Sequence, residues 1–157
     1  MKNNSNKKIV SSNRKARFNY KIIESIEAGV LLEGSEIKSI RDGKINISEG
    51  YVQIKENGAW LHNVHIATYQ PAGINNQHNP LRVRKLLLNK KEQKKILLEM
   101  SKENLTVIPT SIYLKSRLAK VEIALAKGKR NVDKRNIIKK RDSDREINRS
   151  LKNRRWY

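Results

Sequence analysis

The stretch TVIPTSIYLKSRLAKVEIALA, residues 106–126, decides the fold. Ile108, Thr110, Ile112 and Leu114 alternate with their neighbours before Lys115-Ser116-Arg117, and Ala119, Val121, Ile123 and Leu125 alternate after it. A period of two is that of a β-strand, whose successive side chains point to opposite faces. The break between the two runs is too short for anything but a reversal, so they predict two long antiparallel strands.

Upstream, NYKIIESIEAGVLLE (19–33) is rich in β-branched and aromatic residues and predicts one long strand, bent or bulged at Gly29. GSEIKSIRDG (34–43) places Ile37 and Ile40 on one helical face, with Ser35 as N-cap and Gly43 just past the end, a helix of two turns. Tyr51 to Lys55 and Ala59 to Ile66 flank Glu56-Asn57-Gly58, and Asn-Gly is a strong hairpin signal. Strict alternation in the second run puts Trp60, His62, Val64 and Ile66 on one face. Gln70 to Asn79, with Pro71 and Gly73, is expected to be a mobile loop. Asn89 followed by Glu92 forms a capping box that opens a helix from Lys90 to Glu103, with Ile96, Leu97 and Met100 as its apolar stripe. Its other face carries Lys90, Lys91, Lys94, Lys95 and Lys102. At least five strands and two short helices make the chain mainly β. An OB-like antiparallel barrel suits that count, although the spacing fits another small α+β barrel equally.

The charge is unevenly placed. The 157 residues include 35 Lys plus Arg against 15 Asp plus Glu, a net +20 that points to a polyanionic partner. Residues 1–17 contain six basic residues and no acid, and residues 127–157 contain 13 basic and 4 acidic ones. The apolar periodicity lies between them. This divides the chain into a basic N-terminal arm (1–17), a folded unit (18–126) and a basic C-terminal tail (127–157). Basic ends can be mere solubilising tails. Here Ile137, Ile138, Ile147, Leu151, Trp156 and Tyr157 are scattered through the second one, too sparse for a core and arranged among charges that repel. Such a segment is expected to be disordered when free and, with no helix breaker after Gly128, helical once phosphates neutralise it.

Several chemistries lack an anchor in the sequence. There is no cysteine, so thiolate metal sites, disulfides and a Cys nucleophile are excluded. His62 and His65 are three apart on a strand and point to opposite faces, which leaves them structural rather than metal-ligating. Glu24, Glu27, Glu33 and Glu36 read as solvated partners of nearby lysines, and no HExxH, GxSxG or P-loop pattern occurs. Neither a catalytic site, a metal nor a cofactor is therefore expected. Apolar runs never exceed four residues, far short of a membrane span, and the opening residues do not resemble a secretory signal. A cytoplasmic protein is expected.

What remains is recognition. In HNPLRVRKLLLNKKE (78–92), Pro80 holds the chain extended while Arg82, Arg84 and Lys85 gather beside it, suited to phosphate oxygens. Asn13, Arg14 and Lys15 add contacts that set register without reading bases. Aromatic residues are only 5% of the chain, which favours recognition of a folded RNA by shape and backbone over stacking along a single strand.

Four blocks, NRKARFNY (13–20), EAGVLLEGSEIKSIRDGKINISEGYV (27–52), HNPLRVRKLLLNKKE (78–92) and VEIALAKGKRNVDKR (121–135), resemble in order and spacing the SmpB, or SsrA-binding, family of bacterial trans-translation. The resemblance implies an OB-like barrel that binds the tRNA-like domain of transfer-messenger RNA. It also implies a tail that is helical in the decoding centre and empty mRNA channel of a stalled ribosome. Alanyl-tRNA synthetase and elongation factor Tu would be partners through the shared RNA, and no reaction would be catalysed by the protein. By matching position, Glu27, Leu87 and Asn89 would be RNA-contact residues, and Lys38 and Arg41 would join Arg14, Lys15, Arg82, Arg84 and Lys85 as a phosphate-facing surround. The plain alternatives are core packing for Leu87 and a helix cap for Asn89. In the tail, Lys129, Arg130, Asp133, Lys134 and Arg135 would lie near the decoding centre, with Lys139, Lys140, Arg141, Arg145 and Arg149 further along the channel. Val132, Ser143 and Ser150 depart from the family pattern, which shifts the expected tail anchor towards Trp156 and Tyr157. A generic rRNA-binding assembly factor accounts for the charge but not for the block order, and a ribonuclease would have to cleave RNA.

Overall fold

The computed structural model describes residues 7–154 of the chain. The two strands read first are β8 (Thr106–Lys115) and β9 (Leu118–Gly128), paired from Thr106 and Ala126 to Lys115 and Leu118 about a turn in which Ser116 and Arg117 both have positive φ. That is the geometry of a two-residue hairpin whose twist matches its strands. Around this hairpin lie β1 (Lys7–Ser12), β2 (Tyr20–Val30), β4 (Tyr51–Lys55), β5 (Gly58–His62) and β7 (Arg84–Leu87), all antiparallel, in the order β1-β8-β4-β5-β7-β2-β9. Because β9 also pairs with β8, the hydrogen bonding runs in a closed circuit, with β1 added to the far half of β8. Closure leaves few free strand edges. A separate short pair joins β3 (Ile45–Asn46) to β6 (His65–Ile66).

The alternation that defined β8 and β9 survives in β9 and breaks in β8. Val121, Ile123 and Leu125 all enter the main core with Leu61, Leu86 and Val107. In β8 the register slips between Pro109 and Ser111, and the extra residue reverses the phase. Val107 and Ile112 therefore face the same core, whereas Ile108 packs with Ala16, Ala124 and Ala126 in a second cluster under α1 (Arg14–Asn19). Ile108 and Ile112, one face in the sequence, lie on opposite faces in the fold.

Several boundaries differ from expectation for local reasons. The 1–17 stretch is not wholly an appendage: β1 pairs with β8 and the buried Ala16 anchors α1. The bulge in β2 falls between Ile22 and Glu24, not at Gly29. α2 (Gly34–Arg41) is capped by Glu33, not Ser35, because the Glu33 N–H donates to Glu36 Oε2 (2.8 Å) in a reciprocal box; Gly43 follows at φ 75°, as expected. After β5, Asn63 adopts φ 57°, so Val64 and Ile66 turn into the core while Trp60 and His62 stay on the outer face. Residues 70–79 are tied down instead of loose. Two 3₁₀ turns (Gln70–Ala72 and Ile74–Asn76) are followed by Gln77, which bonds both backbone groups of Tyr69, and by buried His78 between Ser35 Oγ and Ile66 O.

The helix at 90 is α3 (Lys90–Lys102), opened by the Asn89–Glu92 box and seated through Ile96. The tail forms one continuous helix, α4 (Asn131–Arg154), with no breaker along it. Nearly all its described side chains are exposed; Lys134 and Ile137, one turn apart, are half-buried towards the body. No helix among the described residues is long and apolar enough to cross a membrane.

Candidate nucleic-acid interface

The outer face of β2, β7 and β5 carries the best candidates. Gly29 pairs with Leu87, and Val30 with Leu86, so the second EAG-block residue after Glu27 abuts the LLLN block directly. A Cβ on Gly29 would stand 3.2 Å from Leu87 Cβ, closer than side chains normally sit, so glycine lets the two strands present Leu87 without displacing it. Leu87 is 55% exposed, which removes core packing as its explanation. Lys85, on the same outward phase of β7, is exposed and paired in register with Trp60. Asn89 is exposed and also caps α3, so its amide has a structural task besides any external one.

Glu27 projects from β2 with its side chain 43% exposed. The Tyr113 hydroxyl donates to its Oε2, and Lys120 Nζ lies 3.5 Å from Oε1. The Tyr113 hydrogen bond, against a smaller opposing effect of burial and with help from Lys115 and Lys120, holds the carboxyl below its ordinary range. An ionised carboxylate only accepts hydrogen bonds, so the exposed part of this one can take donors and not acceptors.

The arginines divide differently. Arg84 points the opposite way from Lys85 and is fully buried: Nε donates to Glu36 Oε1 (2.8 Å), Nη1 to Val64 O (2.7 Å) and Nη2 to Pro80 O (3.1 Å). It is therefore not a phosphate-facing residue, since every arm of its guanidinium is spent inside. Arg82, partly exposed, places Nη2 2.6 Å from Glu36 Oε2 and Nε 3.4 Å from Glu33. Glu36 itself is buried, not solvated as expected. Burial pushes its carboxyl up, but the Arg82 hydrogen bonds, the Glu33 N–H and Arg84 outweigh it and keep it below the ordinary range. Glu24 and Glu27 do have the expected lysine partners, Lys95 (2.6 Å) and Lys120.

Asn13 also turns inward. Its Oδ1 accepts from Ala16 N to cap α1, and its Nδ2 donates to Ile47 O (3.2 Å) and Pro109 O (3.1 Å), leaving nothing for RNA. Arg14 and Lys15 are exposed, Lys15 beside Glu49 at 2.8 Å. Lys38 is exposed with Nζ 5.6 Å from the Tyr69 ring centroid, and Arg41 donates to Arg117 O (3.3 Å) across the hairpin tip. His62 stacks on Tyr51, ring centroids 5.0 Å apart, while His65 is exposed.

At the root of the tail, Lys129 N donates to Asn19 O (2.9 Å) and its Nζ to Arg17 O (3.0 Å). Asp133 accepts from Arg130 N–H (3.3 Å) at the start of α4, and Arg141 lies 5.6 Å over the Phe18 ring. Arg135, Lys139, Lys140, Arg145 and Arg149 are exposed along the helix, Arg145 beside Asp142. Trp156 and Tyr157 fall outside the described residues.

Sequence reasoning missed Tyr113 and Lys120 around Glu27. The available signal was phase: Tyr113 is an aromatic residue on the outward side of an otherwise apolar alternation.

The chain is similar to known proteins. The family model described as SmpB protein matches residues 10–153. An SsrA-binding protein of Trichodesmium erythraeum is 50% identical over 96% of this chain and 97% of its own, and one of Enterococcus faecalis is 49% identical over 94% and 96%. A solved structure described as "tmRNA-SmpB: a journey to the center of the bacterial ribosome" superposes with a TM-score of 0.64 at 38% identity, covering 77% of this chain and 85% of that one. With the blocks that carry Glu27, Leu87 and Asn89 inside a match of this length, the chain belongs to the SmpB family.

Proposed function

We propose that this chain binds the tRNA-like domain of transfer-messenger RNA and brings it to stalled ribosomes for trans-translation. The observation that carries the reading is the joint exposure of Glu27 and Leu87 on paired strands around Gly29, within a chain of this family. A carboxylate that accepts hydrogen bonds and an exposed leucine on the neighbouring strand suit an unstacked base better than a phosphate. The closed circuit of strands is an OB-like barrel that offers this outer face to RNA. Lys85, Arg14, Lys15, Lys38 and the exposed part of Arg82 supply the phosphate contacts.

The tail, from Lys129 onward, acts separately in the decoding centre and empty mRNA channel. A helix with so little packing and so many like charges is marginal in water, so it opens when free and becomes helical against ribosomal phosphates. The protein makes and breaks no bond and works in the cytoplasm. Alanyl-tRNA synthetase and elongation factor Tu meet it through the shared RNA.

The test is competition binding at fixed, near-physiological salt among the tRNA-like domain, an ordinary tRNA and an rRNA hairpin, with wild type and Glu27→Ala. Preference for the tRNA-like domain, eroded by the substitution, is expected. Equal binding to all three, unchanged by the substitution, would reduce the chain to a nonspecific polycation.

A further inference from the structure

Glu27 does not stand free on the surface. Two strands converge on it, β8 with the Tyr113 hydroxyl and β9 with Lys120, while β1 lays Lys7 Nζ 3.8 Å above the Tyr113 ring. Tyr113 is 1% exposed, so its ring is held by the fold and its hydroxyl has one direction to point. Directly across from Glu27 in register is Glu122, whose carboxylate is occupied separately by Thr110 Oγ1 (3.0 Å) and Ser111 Oγ (3.1 Å). Of these three β8 hydroxyls, two thus go to Glu122 and only that of Tyr113 to Glu27.

We propose that Tyr113 is a positioning residue that aims the Glu27 carboxylate at a donor group of the bound RNA, with Lys120 beside it to take a neighbouring phosphate. This rests on the RNA-binding reading above. A carboxylate has about four acceptor positions, of which Tyr113 uses one and Lys120 contacts a second oxygen, so the exposed remainder still accepts from a base. Without the tyrosine hydroxyl, a Glu side chain between Lys115 and Lys120 is free to collapse onto a lysine and cease to discriminate. The exposed lysine contact is a weak tether by comparison. Tyr113 burial and the nearby Glu27 carboxylate both raise the phenol above its ordinary range, so it remains a donor at neutral pH.

Tyr113→Phe removes the hydroxyl and keeps the ring under Lys7. The full-length variant is expected to fold as the wild type and to lose about five- to tenfold in affinity for the tRNA-like domain, the scale of one positioning hydrogen bond. Binding to an ordinary tRNA should be unchanged, which a general loss of structure would not produce. The double variant Tyr113→Phe/Glu27→Gln should bind no worse than Glu27→Gln alone. An unchanged preference in Tyr113→Phe while Glu27→Gln erodes it, or additive losses in the double variant, would overturn the inference and leave the RNA reading intact. No preference in the wild type would overturn both. Should Tyr113→Phe not fold, Glu27→Asp keeps the charge but withdraws it from the hydroxyl, and retention of full preference by that variant would overturn the inference.

Discussion

Glu36 Oε1 and Arg84 Nε are 2.8 Å apart with both side chains fully buried, an ion pair joining α2 to β7 inside a chain whose charges otherwise face outward. Arg82 closes the carboxylate from the other side, so both Glu36 oxygens are paired. Removing Glu36 strands the Arg84 charge in the interior, whereas removing Arg84 leaves Glu36 held by Arg82.

Glu36→Gln should cost about 3–5 kcal/mol of folding stability, the usual result of orphaning one member of a buried pair, and Arg84→Met less, because Arg82 still holds both Glu36 oxygens. Urea unfolding followed by circular dichroism measures it. A loss under about 1 kcal/mol would mean that the pair is wet enough to be replaced by solvent.

The same carboxylate gives an acid limb to stability. Its folded pKa lies below the ordinary 4.5, so its contribution is present above that value and disappears as the pH falls below it through the folded value. Urea titrations between pH about 5 and about 3 should show stability falling, with a shallower fall in Glu36→Gln.

Neighbours on β7 should separate cleanly. Lys85→Ala removes an exposed cation and is expected to reduce the slope of log affinity against log salt by about 0.7–1, with folding unchanged. Arg84→Met should affect stability first, and RNA binding only as folded protein is lost.

Gly29→Val places branched carbon atoms against Leu87 Cβ. Folding should survive at a cost of about 1–3 kcal/mol, while affinity for the tRNA-like domain falls to the level of Leu87→Ala. If binding were unaffected, the Gly29–Leu87 approach would have no part in recognition.

Deleting residues 129–157 leaves β9 complete to Gly128, which pairs with Tyr20. Binding to the tRNA-like domain should stay within a few-fold of wild type, while tagging on stalled ribosomes, read as tagged peptide in a reconstituted translation reaction, is abolished. Strong loss of RNA binding would contradict a separate role for the tail.

Local rules carried far in this chain. The period-two runs identified β8 and β9, Asn57-Gly58 marked the β4–β5 turn, and Asn89 with Glu92 marked the opening of α3, because each signal depends only on residues a few positions apart. The order of four blocks was likewise enough to indicate the family. Tertiary structure alone decided which polar residues are available to RNA. Asn13 is consumed by carbonyls 34 and 96 residues away, Arg84 by a glutamate 48 residues earlier, and Tyr113 meets Glu27 across 86 residues. One bulge at Pro109–Ser111 sends Ile108 and Ile112 to opposite faces. A charge or an alternation in sequence states what a side chain can do, whereas strand register and burial determine what it has left to do it with.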